Sequence, residues 1–341
     1  MDPLFLLLFL PAVLGFGTLA GAPAIRNYPR TTGTILAILF GLGALALLAW
    51  IPGSSERIVA WSWVPSLGLE FGLRLTAFTA WFGVLILSLG ACILLYASTY
   101  FANDRRLPGL LGGLLLFTTA MLGIIWSDNL FLLFLFWEAT SLLSFLLVGF
   151  DHQKEEVRDK ASQALLVTLG GGAALLAGFL LLQQQFGTAS LSALLSLESP
   201  SLDGPVLTMA IILVALGALA KSAQWPFHFW LPNAMAGPTP VSAYLHSATM
   251  VKAGVFLLAT LAPLLHEHPL WPPLLVGSGI LTVATAILRA AREDDLKSIL
   301  ASTTLAALGF LTLLAGLGTP AALLGFVIFL TAHALYKAPL F

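Results

Sequence analysis

Residues 221–252 read KSAQWPFHFWLPNAMAGPTPVSAYLHSATMVK and place charged, titratable and helix-breaking residues together in a chain that is otherwise largely apolar. A lysine stands at each end, Lys221 and Lys252, and two histidines, His228 and His246, lie between them. Four prolines interrupt the run, and proline removes a backbone donor and breaks helices. The run is nevertheless rich in Trp, Phe and Leu, unlike a solvated loop. Because irregular backbone at membrane depth must be shielded by protein or line a hydrated cavity, the proline-rich part predicts a discontinuous helix of that kind.

The composition around this run is that of a membrane protein. The 341 residues are 59% hydrophobic and 9% charged, with a mean hydropathy of +0.97, whereas about a quarter of the residues of a soluble domain are charged. The net charge of -1 gives no indication of a nucleic-acid partner. The single cysteine and the absence of ligand spacing predict no metal site, and no dinucleotide, haem or iron–sulfur motif predicts a cofactor.

Eleven stretches are long and apolar enough to span a bilayer. They are residues 3–21, 31–52, 75–100, 108–126, 129–150, 160–185, 205–223, 241–265, 270–289, 298–317 and 320–341. These stretches are too long and too evenly apolar for the alternating strands of a membrane barrel. The sequence therefore predicts an all-α polytopic membrane protein with about eleven transmembrane helices.

Basic residues in the loops predict the orientation. If the N-terminus lies outside, the inward loops hold ten basic residues, Arg26, Arg30, Arg105, Arg106, Lys154, Arg158, Lys160, Arg289, Arg292 and Lys297. The outward loops then hold only Arg57 and Arg74. This asymmetry agrees with the positive-inside rule and predicts an outer N-terminus in a cell inner (plasma) membrane.

Four charged residues fall within the apolar stretches: Glu138, Lys221, Lys252 and Lys337. Each ionised group costs about 2.5–3.5 kcal/mol at the bilayer centre on insertion scales. These groups must therefore pair, face a hydrated interior or lose their charge. Intramembrane ionisable residues indicate a functional site by default. The structural alternative is that Lys221 reaches the membrane interface and that Glu138 only neutralises a lysine.

Histidines extend this set of buried ionisable groups. His246 lies in the same predicted helix as Lys252, and His333 precedes Lys337 by four residues, so the latter two share one helix face. Histidine titrates near neutral pH and can pass protons. The pattern predicts a chain of proton-carrying sites near mid-membrane, with His228 as an auxiliary member and packed, structural histidines as the alternative.

The run at 221–252 resembles the proton-antiporter module shared by Mrp-type Na+/H+ antiporters and the large pumping subunits of respiratory complex I. Phe136-Trp-Glu138 with Ser141-Leu-Leu-Ser144, Asp295-Leu-Lys297 and His333-Ala-Leu-Tyr-Lys337 resemble other parts of the module. Within the family, the sequence is most similar to the A subunit of the multisubunit Mrp antiporter. The resemblance implies that Glu138 and Lys221 are the module's paired glutamate and lysine. It also implies a proton path through residues at matching positions, which are His246, Lys252, Lys297, His333 and Lys337.

The family fold contains two inverted five-helix repeats with broken helices. This resemblance predicts three parts: a three-helix N-terminal segment (1–107), a first repeat (108–265) and the start of a second repeat (266–341). It therefore predicts a fragment of a longer protein that is truncated in its C-terminal region. The implied function is cation/proton antiport, with H+ and Na+ as the ions, within a hetero-oligomeric complex in the lipid bilayer.

Two alternatives remain at this stage. The chain could be a proton-pumping membrane component of NADH-quinone oxidoreductase or of a membrane-bound hydrogenase, in which electron transfer elsewhere supplies the energy. It could also be a non-conducting scaffold component, whose buried charges serve assembly.

Overall fold

The computed structural model describes residues 2–53, 55–64, 69–197 and 202–341. The helices are α1 (Pro3–Ala20), α2 (Ala22–Asn27), α3 (Pro29–Trp50), α4 (Ala77–Tyr100), α5 (Leu107–Trp126), α6 (Leu130–Val148), α7 (Glu155–Phe186), α8 (Leu191–Leu195), α9 (Pro205–Lys221), α10 (Trp230–Asn233), α11 (Thr239–Ser247), α12 (Lys252–Leu265), α13 (Trp271–Ala290), α14 (Leu296–Leu317) and α15 (Pro320–Leu340). Strands β1 (Arg57–Val64) and β2 (Leu69–Leu75) form an antiparallel hairpin. Short 3-10 turns lie at Ile51–Gly53, Gly149–Asp151, Phe227–Phe229 and Ala234–Ala236.

Ten segments of the described chain are long and apolar enough to cross a membrane. The apolar helix α9 is shorter, with 17 residues, which is the lower end of the spanning range. Each of the eleven predicted stretches therefore contains a helix or a helix pair. The prediction of an all-α polytopic membrane protein is confirmed, and within the described ranges the hairpin is not part of a closed sheet.

Burial separates inner helices from outer ones. Helix α5 and the α11–α12 segment are almost entirely buried, whereas α1, α3 and α7 are mostly exposed along one side. The exposed positions are themselves apolar, as at Val13 with 66% exposure and Leu166 with 71%. A surface of this kind suits hydrocarbon rather than water, because it carries large aliphatic side chains without charges.

The α11–α12 segment is interrupted at residues 248–251, between His246 and Lys252. From the sequence, residues 241–265 were expected to form one span, with the discontinuity in the proline-rich segment before it. That prediction was wrong about the continuity. The prolines instead divide residues 227–236 into short helical turns, while the chain also breaks inside the span. Hydroxyl groups replace part of the backbone hydrogen bonding that is lost at this break. For example, Thr249 Oγ1 donates to the Tyr244 carbonyl at 2.7 Å.

The hairpin β1–β2 was not predicted. It closes one end of the bundle, where an ion pair of 2.5 Å joins Arg57 to Asp2 at the start of α1. The Asp128 amide donates to the Gly72 carbonyl at 2.8 Å and ties the hairpin to the α5–α6 connection. The predicted start of the third span at residue 75 is too early, because Leu75 belongs to β2.

The opposite end of the bundle carries the arginine-rich loops. Arg26 after α1 donates its Nε to the Arg105 carbonyl at 3.1 Å, and Arg106 before α5 pairs with Asp151 after α6 at 2.8 Å. These contacts bring three loops together that were predicted to share one side of the membrane. Which end faces the cytoplasm stays a prediction, as does the division into repeats at residues 107/108 and 265/266.

Candidate functional site

Lys221 is the last residue of α9 and is completely buried. Its Nζ donates to the Trp137 carbonyl at 3.0 Å and to Ser141 Oγ at 2.7 Å, both on α6. The ammonium also lies 5.3 Å from the centroid of the Trp137 ring. A cation is favoured at a helix C-terminus by the helix dipole. Lys221 therefore points into the bundle and does not extend to the membrane interface.

Glu138 follows Trp137 on the same helix, and both of its carboxylate oxygens are buried. Neither oxygen has a hydrogen-bond partner in the described residues, and none of the ion pairs there joins Glu138 to Lys221. The two charges interact through space, and Ser141 is a neighbour of both. The structure thus brings the predicted pair close together without direct contact.

Helix α7 provides the space that the Glu138 carboxylate occupies. A Cβ atom added at Gly172 would take the position of Glu138 Oε1, and one added at Gly171 would overlap the Ala220 side chain. Gly171 and Gly172 belong to the run Gly170-Gly171-Gly172, and their lack of side chains allows α7 to pack against the carboxylate and against α9.

A second group of bases lies where α12, α14 and α15 meet. Lys252 is fully buried at the start of α12, and its Nζ donates to the Leu330 carbonyl of α15 at 3.2 Å. Lys337, also on α15, donates its Nζ to the Thr303 hydroxyl of α14. The ring of His333 is buried and lies within electrostatic range of both lysines.

His246 and Lys297 complete this second group. His246 is fully buried in α11, within electrostatic range of Lys297 and Lys337. Lys297 is half-buried in the first turn of α14, and its Nζ donates to the carbonyls of Met235 at 2.8 Å and Gly237 at 2.9 Å. Lys297 therefore anchors the proline-rich segment to α14.

Contacts between α9 and α12 connect the two groups. Ser222, directly after Lys221, accepts a hydrogen bond from the Val255 amide at 3.0 Å in the first turns of α12. Gly254 makes this approach possible, because a Cβ atom there would overlap the Ala218 carbonyl and the Ser222 hydroxyl. The end of α9 that carries Lys221 therefore packs directly against the first turns of α12.

His228 lies apart from these groups. It belongs to the 3-10 turn Phe227–Phe229, is partly exposed, and has Arg289 as a charged neighbour. The structure therefore brings together seven of the eight predicted site residues and leaves His228 at the edge.

Most of the buried polar atoms that lack a partner in the described part of the chain lie on these helices, and those of Gln224 and His228 lie in the connection after α9. They belong to Trp137, Glu138, Gln224, His228, His246, Ser302 and His333. Buried polar groups in native proteins are almost always hydrogen-bonded to protein or to ordered water. These atoms are therefore suited to bind water, and the Glu138 carboxylate and the histidine rings among them can also accept a proton.

Sequence reasoning missed two members of this polar region. Ser302 is fully buried in α14 with an unpartnered hydroxyl, and Thr303 binds Lys337. The signal available was the Ser302-Thr303-Thr304 run within an apolar helix. Hydroxyl residues are common in membrane helices because they allow close packing, so this run could not be recognised as part of a functional site.

Comparison with known proteins gives the family. The family described as NADH:quinone oxidoreductase/Mrp antiporter, TM, matches residues 127–341. The family described as NADH-Ubiquinone oxidoreductase (complex I), chain 5 N-terminus, matches residues 61–108. Together these matches contain both groups of buried charges.

Individual relatives agree with the family match. The A/B subunit of a probable K(+)/H(+) antiporter from Rhizobium meliloti is 44% identical over 279 residues, which cover 82% of this chain and 28% of that protein. The A subunit of the Na(+)/H(+) antiporter from Alkalihalophilus pseudofirmus is 41% identical over 294 residues, covering 82% of this chain and 36% of that protein.

A solved structure, the Mrp complex from Dietzia sp., contains a chain that superposes with a TM-score of 0.90 at 38% identity, covering 98% of this chain and 36% of that one. The chain thus spans about a third of the length of the relatives it matches. Because a single family match covers well over half of its residues, the chain belongs to the NADH:quinone oxidoreductase/Mrp antiporter family of membrane proteins.

Proposed function

We propose that this chain carries protons as part of the A subunit of a multisubunit monovalent cation/proton antiporter. The observation that carries the proposal is the coincidence of four buried charges, two buried histidines and the unpartnered polar atoms on one set of packed helices. A structural role would leave the Glu138 carboxylate and the rings of His246 and His333 hydrogen-bonded, since an unsatisfied buried polar group costs about 1–3 kcal/mol. A transported proton, by contrast, requires sites that can accept it.

The proposed mechanism begins at Glu138 and Lys221. Lys221 is protonated while it is held by α6, and movement of the Glu138 carboxylate toward or away from it changes how strongly the charge is stabilised. When the pair separates, Lys221 releases its proton toward the second group. Ser141, which lies beside both residues, is placed to pass that proton or to hold a water molecule that does so.

The second group then receives the proton. His246 and Lys252 flank the break in the α11–α12 segment, and the His333–Lys337 face of α15 lies against them. Lys297 is the member nearest the arginine-rich end of the bundle. In this proposal a cation moving in the opposite direction drives the steps or is driven by them.

Relatives with this module differ in the cation that their names give, K+ in one and Na+ in the other. We propose Na+ as the first cation to test, in a hetero-oligomeric complex of the plasma membrane with its N-terminus outside. A redox-driven pump is the less favoured alternative, because these relatives are named as antiporter components. A transporter of this kind carries out no catalysis of its own.

The experiment replaces Lys221 with alanine in the full-length complex and measures Na+-dependent proton efflux in membrane vesicles. We expect the rate to fall by about 100-fold or more, as is typical when a proton-transfer group is removed. Lys160→Ala is the matched control, because Lys160 lies on α7 and forms an exposed ion pair with Glu156. Transport at the wild-type rate by assembled Lys221→Ala complexes would contradict the proposal.

A further inference from the structure

A cavity of about 670 Å³ opens at the arginine-rich end of the bundle, where α1, α2, α5, α6 and α7 meet. Four of its lining residues, here called the rim, are arginines: Arg26, Arg105, Arg106 and Arg158. None of them belongs to the two groups of buried charges described above. The cavity is therefore separate from the residues proposed to carry protons.

The charge on this rim is only partly neutralised. Arg106 is hydrogen-bonded to Asp104 and Asp151, each at 2.8 Å, and it holds the pKa of the Asp104 carboxyl below its usual value. Arg26, Arg105 and Arg158 form no ion pair with a carboxylate in the described ranges. Three positive charges thus remain available to an anion.

The wall of the cavity is apolar and open to the hydrocarbon side. Leu19 near the end of α1 is 46% exposed, and Leu146 near the end of α6 is 63% exposed. Phe145 and Phe150 also line the cavity. A soluble anion would use only the arginines, whereas a molecule with an anionic head and an apolar tail would use both the rim and the wall.

We propose that this cavity binds an anionic phospholipid, with its phosphate at Arg26, Arg105 and Arg158 and an acyl chain along Leu19 and Leu146. Arginine suits this role because its planar fork of donors matches phosphate oxygens. Basic pockets between transmembrane helices are a general way of holding lipid head groups. The proposal is independent of what the chain transports.

The test uses the intact membrane protein that carries this chain, purified as the assembled complex and delipidated in a neutral detergent. Native mass spectrometry measures its affinity for phosphatidylglycerol, phosphatidylcholine and inorganic phosphate. Arg105→Gln removes a rim charge but keeps the carbonyl that Arg26 binds, and Arg105→Lys keeps the charge. Arg30→Gln is the matched control, because Arg30 lies in the first turn of α3 at the same end but does not line the cavity.

We expect phosphatidylglycerol to bind more tightly than phosphatidylcholine and Arg105→Gln to weaken that binding about fivefold, the effect of one basic residue near an anionic lipid. Arg105→Lys keeps the charge but loses the fork of donors, so its affinity should lie between those of wild type and Arg105→Gln, and Arg30→Gln should bind within about twofold of wild type. The proposal is overturned by equal affinities for the two lipids, by displacement of phosphatidylglycerol with inorganic phosphate, or by an Arg30→Gln loss as large as that of Arg105→Gln.

Discussion

Lys221 illustrates how a buried lysine can be held by hydrogen bonds without a direct ion pair. Its burial costs about 2.5–3.5 kcal/mol on insertion scales. Two hydrogen bonds from a charged donor and the Trp137 ring return some of this free energy. Contacts to α6 therefore offset part of the cost. The remainder depends on the Glu138 carboxylate, which the proposed mechanism treats as the variable partner of Lys221.

The hydrogen bond from Lys221 to the Ser141 hydroxyl can be tested by a single substitution. Ser141→Ala removes the acceptor of the shortest Lys221 hydrogen bond and should destabilise the protein by about 1–3 kcal/mol and slow transport. Thermal unfolding and proton efflux measure the two effects. Ser144→Ala is the matched control, since Ser144 is one turn further along α6 and donates to the Ser141 carbonyl of its own helix. Equal effects of the two substitutions would contradict a specific role for Ser141.

Among the helices, α7 packs against the Glu138 carboxylate, and its sequence does not predict this contact. Gly170-Gly171-Gly172 indicates close packing, but only the structure shows that Gly172 lies against a carboxylate. Helix–helix contacts depend on which face of each helix turns inward, and an evenly apolar helix carries little information about that.

The substitution Gly172→Ala should therefore disturb the Glu138 carboxylate. The added methyl group would force the Glu138 carboxylate from its position, so we expect transport to fall by about tenfold or more, as misplacement of a reacting group can cost up to about 100-fold. Gly170→Ala is the control, because a Cβ atom at Gly170 meets nothing within 4 Å. Alanine is the better helix former by roughly 0.5–1 kcal/mol, so this control should be neutral or slightly stabilising. Proton efflux by both assembled variants measures the difference, and a Gly172→Ala rate equal to that of the control would contradict the assignment.

Helix spans could be predicted because the bilayer fixes their length and composition. Two features could not. The break at residues 248–251 depends on partners from elsewhere in the chain, such as the Ser222 hydroxyl that accepts from Val255. The hairpin depends on Asp2 and on the α5–α6 connection.

The site residues could be predicted only in part. Lys221 and Lys252 stand out in the sequence because charged residues are rare in membrane-spanning segments. Ser302 and Thr303 do not stand out, because hydroxyl residues are common there.

At the scale of the whole molecule, the described loops sort into a hairpin end and an arginine-rich end. The positive-inside rule predicts that the arginine-rich end faces the cytoplasm. Single cysteines at Asn103 and Ser55, both exposed and on opposite ends, test this in a Cys92→Ala background. A membrane-impermeant thiol reagent should label Ser55→Cys in intact cells and Asn103→Cys only after the cells are opened. The reverse labelling pattern would contradict the predicted orientation.

We expect Glu138 and Lys221 to act as one unit at the start of the proposed proton route. Proton efflux driven by a Na+ gradient should be measured for Glu138→Gln, Lys221→Ala and the double variant in proteoliposomes containing the assembled complex. Residues that act as a unit show strongly non-additive losses. The account predicts that each single variant loses about 100-fold or more and that the double variant is no slower than either. Single variants that transport at the wild-type rate, or losses that multiply in the double variant, would contradict it.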